Sequence, residues 1–435
     1  MERFALSRMK EWKEDENRKP LIIRGARQVG KTWIMKEFGL RNFEKTAYVN
    51  FDNNVRMQQV FEGDLDVERL LLAISAETGI SIQAENTLIV FDEIQEVPKA
   101  LTSLKYFYEN APQYAIVAAG SLLGVALHQG TSFPVGKVEF LDLYPLNFRE
   151  FLCAMGEKQF VSMLESRDTQ IVTAFKTKYI ERLREYYFVG GMPEVVKDFS
   201  EKKDYNRVRV IQKNLINYYQ QDFSKHADIR LVPRLNLVWN SIPMQLAKEN
   251  KKYIYGQVRE GSRAKDFELA IQWLLDCGLI HKVQRIQKPD LPLKAYLDFD
   301  AFKLFLVDIG LLVAMTDLDA KVIIEGNRVF TEFKGALTEQ FVLQQLISDV
   351  GVTPYYYSTK NSKGEIDFLV QGATSVIPIE VKAEENLKAK SLKSFCEKYQ
   401  PAYAVRTSMS DYREQEWMTN IPLYAIKWIE DYVNQ

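Results

Sequence analysis

The chain has 435 residues and a mass of 50.5 kDa, room for about three domains at roughly 150 residues each. Hydrophobic residues make up 46% and charged residues 26%, an ordinary globular composition that argues against a disordered, collagen-like or low-complexity protein. With 57 Lys and Arg against 58 Asp and Glu the formal net charge is -1, which excludes a uniformly basic coat; any contact with nucleic acid has to come from a local patch.

The three cysteines (Cys153, Cys277, Cys396) and three histidines (His128, His226, His281) are too few and too scattered for a disulfide framework or a zinc centre. The first twenty residues are dense in charge and hold no apolar core of signal-peptide length. The longest uncharged stretch, 110–136, is broken by Pro112, Gly120, Gly124 and His128, so it is too polar for a membrane helix. A soluble cytoplasmic protein without membrane contact is expected.

In chain order, residues 1–20 read as a short amphipathic helix carrying Phe4, Met9 and Trp12. LIIRG (21–25) is a short apolar run of the kind buried on both faces of a parallel sheet, followed by a helical stretch at 32–38. AYVNFD (47–52), TLIVFDE (87–93) and AIVAAGS (115–121) are three more such runs, separated by helix-like segments at 64–78 and 99–109. This alternation predicts an α/β domain with a doubly wound parallel sheet over 1–145, with ligands beyond the carboxyl ends of the strands. From 146 to 229 the spacing is helical, interrupted at GGMPEVV (190–196). Over 230–328 two helices precede two strand-like runs, the order of a winged helix. Residues 329–435 return to α/β alternation and read as a C-terminal domain.

Residues 25–32, Gly25, Ala26, Arg27, Gln28, Val29, Gly30, Lys31 and Thr32, fit the phosphate-binding pattern G-x-x-x-x-G-K-[ST], between a predicted strand and a predicted helix. The glycines let backbone N–H groups wrap a phosphate, and the helix N-terminus favours the negative charge. Lys31 would meet the β- and γ-phosphates of ATP, and the Thr32 hydroxyl would ligate Mg²⁺. Asp92 and Glu93 tip an apolar strand: Asp92 is the expected Mg²⁺ partner and Glu93 the residue that polarises water. Ser121, ending the next run, is a candidate contact to the γ-phosphate or the attacking water.

These motifs resemble those of prokaryotic ATPases of the AAA superfamily whose C-terminal half is nuclease-like. The resemblance is carried by GARQVGKT (25–32), LIVFDEIQ (88–95), AAGSLLG (118–124) and LDLYPLNFREFL (141–152). It continues through GGMPEVV (190–196), SIPMQLAKENKKY (241–253), GEIDFLV (364–370) and IEVKA (379–383). It implies binding and hydrolysis of ATP with Mg²⁺, release of ADP, and an oligomer, since related ATPases act as rings or dimers. Where related sequences often place an arginine that senses the γ-phosphate in trans, this chain has Lys137, which lacks the bidentate fork.

Near the C-terminus, Asp367 in EIDFLV and Glu380 and Lys382 in IEVK, with Glu339 on an upstream helix, resemble the PD-(D/E)xK nuclease core. In such a core Glu339, Asp367 and Glu380 would bind Mg²⁺ and Lys382 would position or deprotonate water. A degenerate fold that binds without cutting, or a simple Glu380–Lys382 pair on an exposed strand, are the alternatives. Finally, Lys248, Lys251, Lys252, Arg259, Arg263 and Lys265, with Tyr253 and Tyr255 interleaved, form a basic stretch suited to DNA or RNA phosphates. Tyr355, Tyr356 and Tyr357 are expected on a strand wetted on two faces, and Trp239, Phe267 and Trp273 in the core.

Overall fold

The computed structural model describes residues 1–120, 133–248, 251–325, 331–359, 364–385 and 389–435. They fold as two compact units, residues 2–144 with 276–279, and residues 145–275 with 280–435.

The N-terminal unit is built on a parallel five-stranded sheet, β1 (Leu21–Arg24), β2 (Lys45–Asn50), β3 (Thr87–Asp92), β4 (Ala115–Ala119) and β5 (Glu139–Asp142), in the order β2-β3-β4-β1-β5. The four apolar runs are strands, as their lack of alternation predicts for a sheet covered on both faces: β3 and β4 are buried at every position. β4 sits between β1 and β3, with Ala118 paired to Ile22 on one side and to Phe91 on the other. The edge strand β5 has one buried residue in four, so it lacks the apolar run that marks the others. On one face Phe51, Phe61 and Phe91 pack edge to face, with Phe107 against Phe91. Such aromatic packing contributes beyond its buried area. The helix Ala5–Glu14 buries Met9 and Trp12.

The second unit carries an eight-stranded sheet: β6 (Ile280–Ile286), β7 (Leu297–Leu306), β8 (Tyr355–Ser358), β9 (Glu365–Gln371), β10 (Val376–Val381), β11 (Val405–Ser408), β12 (Arg413–Glu414) and β13 (Thr419–Pro422). The order is β12-β13-β11-β10-β9-β8-β6-β7. The expected hairpin is present as the antiparallel pair β6–β7, but it is no separate wing: the free edge of β6 pairs parallel with β8. The sheet therefore crosses the boundary expected at 328/329, because an open β6 edge would leave backbone groups unpaired. It also makes β8 an interior strand. Tyr355, Tyr356 and Tyr357 are all buried, not wetted, which corrects that expectation.

Buried polar bonds tie the helical region to the rest of this unit. Gln340, on the helix Thr331–Gln345, both accepts from the Leu306 N–H and donates to its carbonyl. The break at 190–191 is explained by Asp308. Its carboxylate accepts from the Gly191 N–H at 2.6 Å and caps the helix Ile309–Met315 through the Leu311 N–H. A Cβ on Gly190, whose φ is +74°, would lie 2.2 Å from Asp308 Oδ1, so no side chain fits there. Trp239, Phe267 and Trp273 are buried as expected.

Candidate functional site

The loop after β1 is shaped by its own close contacts. Gly25 has φ +149°, and a Cβ there would sit 2.1 Å from the Leu143 carbonyl oxygen. Gln28 (φ +66°) and Gly30 (φ +95°) also take left-handed backbone. Alternation of left- and right-handed residues turns successive N–H groups inward, the geometry of an anion nest. Gly30 is then the N-cap of the helix Lys31–Asn42, whose first N–H groups are unpaired by construction. Lys31 is 7% exposed, and its ammonium donates to the carbonyls of Gly25 at 2.9 Å and Ala26 at 2.7 Å. Burial draws its pKa down to about 8, with the Glu93 and Asp92 carboxylates partly restoring it.

Asp92 lies at the end of β3, separated from β1 by β4, yet the helix after the loop brings Thr32 to it. The Thr32 hydroxyl donates to Asp92 Oδ2 at 2.6 Å, and the Tyr48 hydroxyl donates to the same oxygen at 2.8 Å. Tyr48 is pushed above its ordinary pKa by burial and by that bond. Glu93 sits in left-handed backbone (φ +51°), the kind of strain that clusters at working sites. One of its oxygens accepts from Gln95 Nε2 at 2.7 Å. Tyr48 and Gln95 carry no motif signal; parallel pairing of β2 with β3 and the short 3₁₀ turn after β3 bring them in. Ser121 lies outside the described residues. Lys137, at the place of the expected arginine, is ion-paired with Glu109 at 3.0 Å.

ATP and Mg²⁺ fit this arrangement. The close approach at Gly25 leaves the loop backbone bare, an ammonium already lies on the loop's carbonyls, and a hydroxyl and a carboxylate converge at hydrogen-bond distance. Mg²⁺ in such sites takes one or two side-chain oxygens, the rest coming from phosphates and water.

The second unit brings Glu339, Asp367, Glu380 and Lys382 together at one face of its sheet, and adds groups that no motif announced. Lys251 is ion-paired with Glu339. Lys303 on β7, with no solvent exposure, lies 2.5 Å from Glu365 and 3.6 Å from Glu339. Lys382 lies 2.6 Å from Glu380. Asp367 Oδ2 accepts from the Val381 N–H at 2.7 Å. Burial, with Glu339 and Glu380 nearby, holds the Asp367 carboxyl well above the carboxylate range, whereas the Lys251 and Lys303 ammoniums overcome burial at Glu339 and hold it low. Glu339, Asp367 and Glu380, expected as a Mg²⁺ shell, lie here beside ammonium groups. Among the described residues no group of three or more His, Cys, Asp or Glu is placed to hold a metal ion. The Glu380–Lys382 pair exists, but Glu380 is 5% exposed, so the pair does not lie on an open strand.

The basic stretch is smaller in three dimensions than in the sequence. Lys251 is spent on Glu339, and Tyr253 is buried and stacked on Phe302. Arg259, Arg263 and Lys265 remain exposed before and at the start of the helix Ala264–Asp276. No described helix is long and apolar enough to cross a membrane.

Residues 17–152 match the family model of the AAA domain. Residues 180–322 and 334–426 match two domains of unknown function (DUF8612 and DUF4143). An uncharacterised protein of Methanocaldococcus jannaschii is 22% identical over 215 residues, 47% of this chain and 44% of that protein, so the match spans less than half of the relative's length. Among solved structures, the Walker-type ATPase PABY2304 of Pyrococcus abyssi is 15% identical with a TM-score of 0.45, covering 72% of this chain and 95% of that one. The ORC1 protein of Aeropyrum pernix in complex with DNA is 14% identical with a TM-score of 0.28, covering 72% and 91%. Both TM-scores are under 0.5, and neither likeness bears on what this chain acts on. The segment that matches the AAA domain is thus an α/β unit with a parallel sheet.

Proposed function

We propose that this chain binds ATP with Mg²⁺ and hydrolyses it in the N-terminal unit. The observation that carries the reading is the contact of Thr32 with Asp92 at 2.6 Å, beside a buried Lys31 whose ammonium lies on the loop carbonyls. Two distant motifs thereby meet at one point.

The loop N–H groups and the helix N-terminus hold the phosphates, and Lys31 leaves the Gly25 and Ala26 carbonyls to meet them. Thr32 and Asp92 would hold Mg²⁺, with Tyr48 fixing the Asp92 carboxylate; when bound, the ion neutralises phosphate charge. Glu93, aimed by Gln95, orients and accepts a proton from the attacking water. Measurement of ATP turnover with Mg²⁺ tests this directly. Glu93→Gln is expected to keep ATP affinity within about threefold and to lower turnover by the 10²- to 10⁴-fold typical of a lost general base. Turnover equal to wild type removes Glu93 from the role.

The output we infer is nucleotide-dependent contact with nucleic acid, supported by the exposed cations Arg259, Arg263 and Lys265. Duplex binding that weakens with salt, and weakens further on reversing those three charges, is the expected behaviour. Binding indifferent to both argues for an acidic protein partner instead.

A further inference from the structure

We infer that the carboxylate cluster of the second unit is ion-paired with its own lysines and is not a divalent-metal centre, so this chain does not cut phosphodiesters through it. Four carboxyl groups, Glu339, Glu365, Asp367 and Glu380, face three ammoniums, Lys251, Lys303 and Lys382. Each lysine arrives from a different element: Lys251 from the segment before β6, Lys303 from the middle of β7, Lys382 from just beyond β10. In a two-acid metal site one lysine suffices, and it serves the water. Here two further ammoniums converge on Glu339, and one of them, Lys303, has no solvent exposure and lies 4.9 Å from the Tyr356 ring centroid. That position admits no easy swing to solvent: the side chain is enclosed, and leaving would strand Glu339 and Glu365 without a counter-charge.

The cluster is therefore a buried ion-pair network. Its consequence in the fold is that the hairpin β6–β7 and the segment at Lys251 are fastened to the helix bearing Glu339 by charge as well as by sheet pairing. Glu339 Oε2 and Glu380 Oε2 have no hydrogen-bond partner among the described residues, and they are the atoms that a cation would use if this inference were wrong.

The experiment uses the full chain without nucleotide. Mn²⁺ is titrated by electron paramagnetic resonance into wild type and Asp367→Asn. The two curves are expected to coincide; one Mn²⁺ per chain bound by wild type and lost in Asp367→Asn overturns the inference. Thermal unfolding supplies an independent arm. Lys303→Met should lower Tm by roughly 5–15 °C, and Lys303→Met with Glu339→Gln should recover a large part of that loss, because the uncompensated carboxylate is then removed. Should Lys303→Met not fold, Glu339→Gln alone is expected to lower Tm by stranding Lys303 and Lys251. An unchanged Tm in that variant, or no recovery in the double variant, refutes a network. These outcomes are independent of ATP binding, so failure here leaves the nucleotide reading untouched.

Discussion

The pH dependence of ATP affinity is the sharpest consequence of the loop geometry. Burial brings the free Lys31 ammonium to about 8, where an ordinary lysine titrates at 10.5. A bound triphosphate raises that pKa again, because opposite charge within a few ångströms favours the charged form. Affinity is thus full while the free chain is protonated, and falls as pH rises through about 8, because binding must then take up a proton. At pH 7 about nine-tenths of the free chain carries the charge, and at pH 9 about one-tenth. The dissociation constant should therefore rise roughly tenfold over that interval, about 1.4 kcal/mol. Lys31→Met should bind roughly 10- to 150-fold more weakly at pH 7, the loss of one charge-assisted hydrogen bond, with a value near the lower end. The lower end is expected because wild type must first release the two bonds to Gly25 and Ala26. In the variant the dependence between pH 7 and 9 should vanish. Isothermal titration calorimetry in two buffers of different ionisation enthalpy measures both the affinity and the proton uptake. Flat wild-type affinity across the range, or a slope that survives in Lys31→Met, would refute the reasoning.

Two other perturbations follow from close packing and burial. Gly25→Ala places a methyl 2.1 Å from the Leu143 oxygen in left-handed backbone, so the loop must shift; ATP affinity should drop at least about tenfold, read by calorimetry. Burial pushes the Asp308 carboxyl up to about 6, against an ordinary 3.8. A raised folded pKa means the stabilising contribution is complete below about 3.8 and is lost as pH rises through about 6, a change of about 3 kcal/mol. The difference in urea midpoint between wild type and Asp308→Asn should accordingly change across pH 4–6.5 and level off above it, whereas a constant difference would show that Asp308 does not titrate there.

The proposed nucleotide site is largely legible in the amino-acid sequence, because its chemistry is local. Eight contiguous residues specify the loop, and an uninterrupted apolar run ending in Asp92 and Glu93 announces a buried strand with acids at its tip. Parallel strands buried on both faces need no alternation, which is why LIIRG and TLIVFDE stand out and why the thinly buried edge strand β5 does not. The partners of those acids are not legible: Tyr48 and Gln95 look like any strand or turn residue until the sheet order is known.

The second unit shows the opposite balance. Helices, hairpin and C-terminal strands can each be read from spacing, but the pairing of β6 with β8, a contact between residues about seventy apart, cannot. That one pairing buries the three tyrosines of β8 and carries Lys303 over the carboxylates. Local pattern thus settled which segments are strands and where glycine is required, and it supplied the loop proposed to bind phosphate, since those depend on neighbours in the chain. Tertiary packing alone decided what charge faces Glu339, because a counter-ion is defined by distance in space, and Lys251 and Lys303 lie 88 and 36 residues away along the chain.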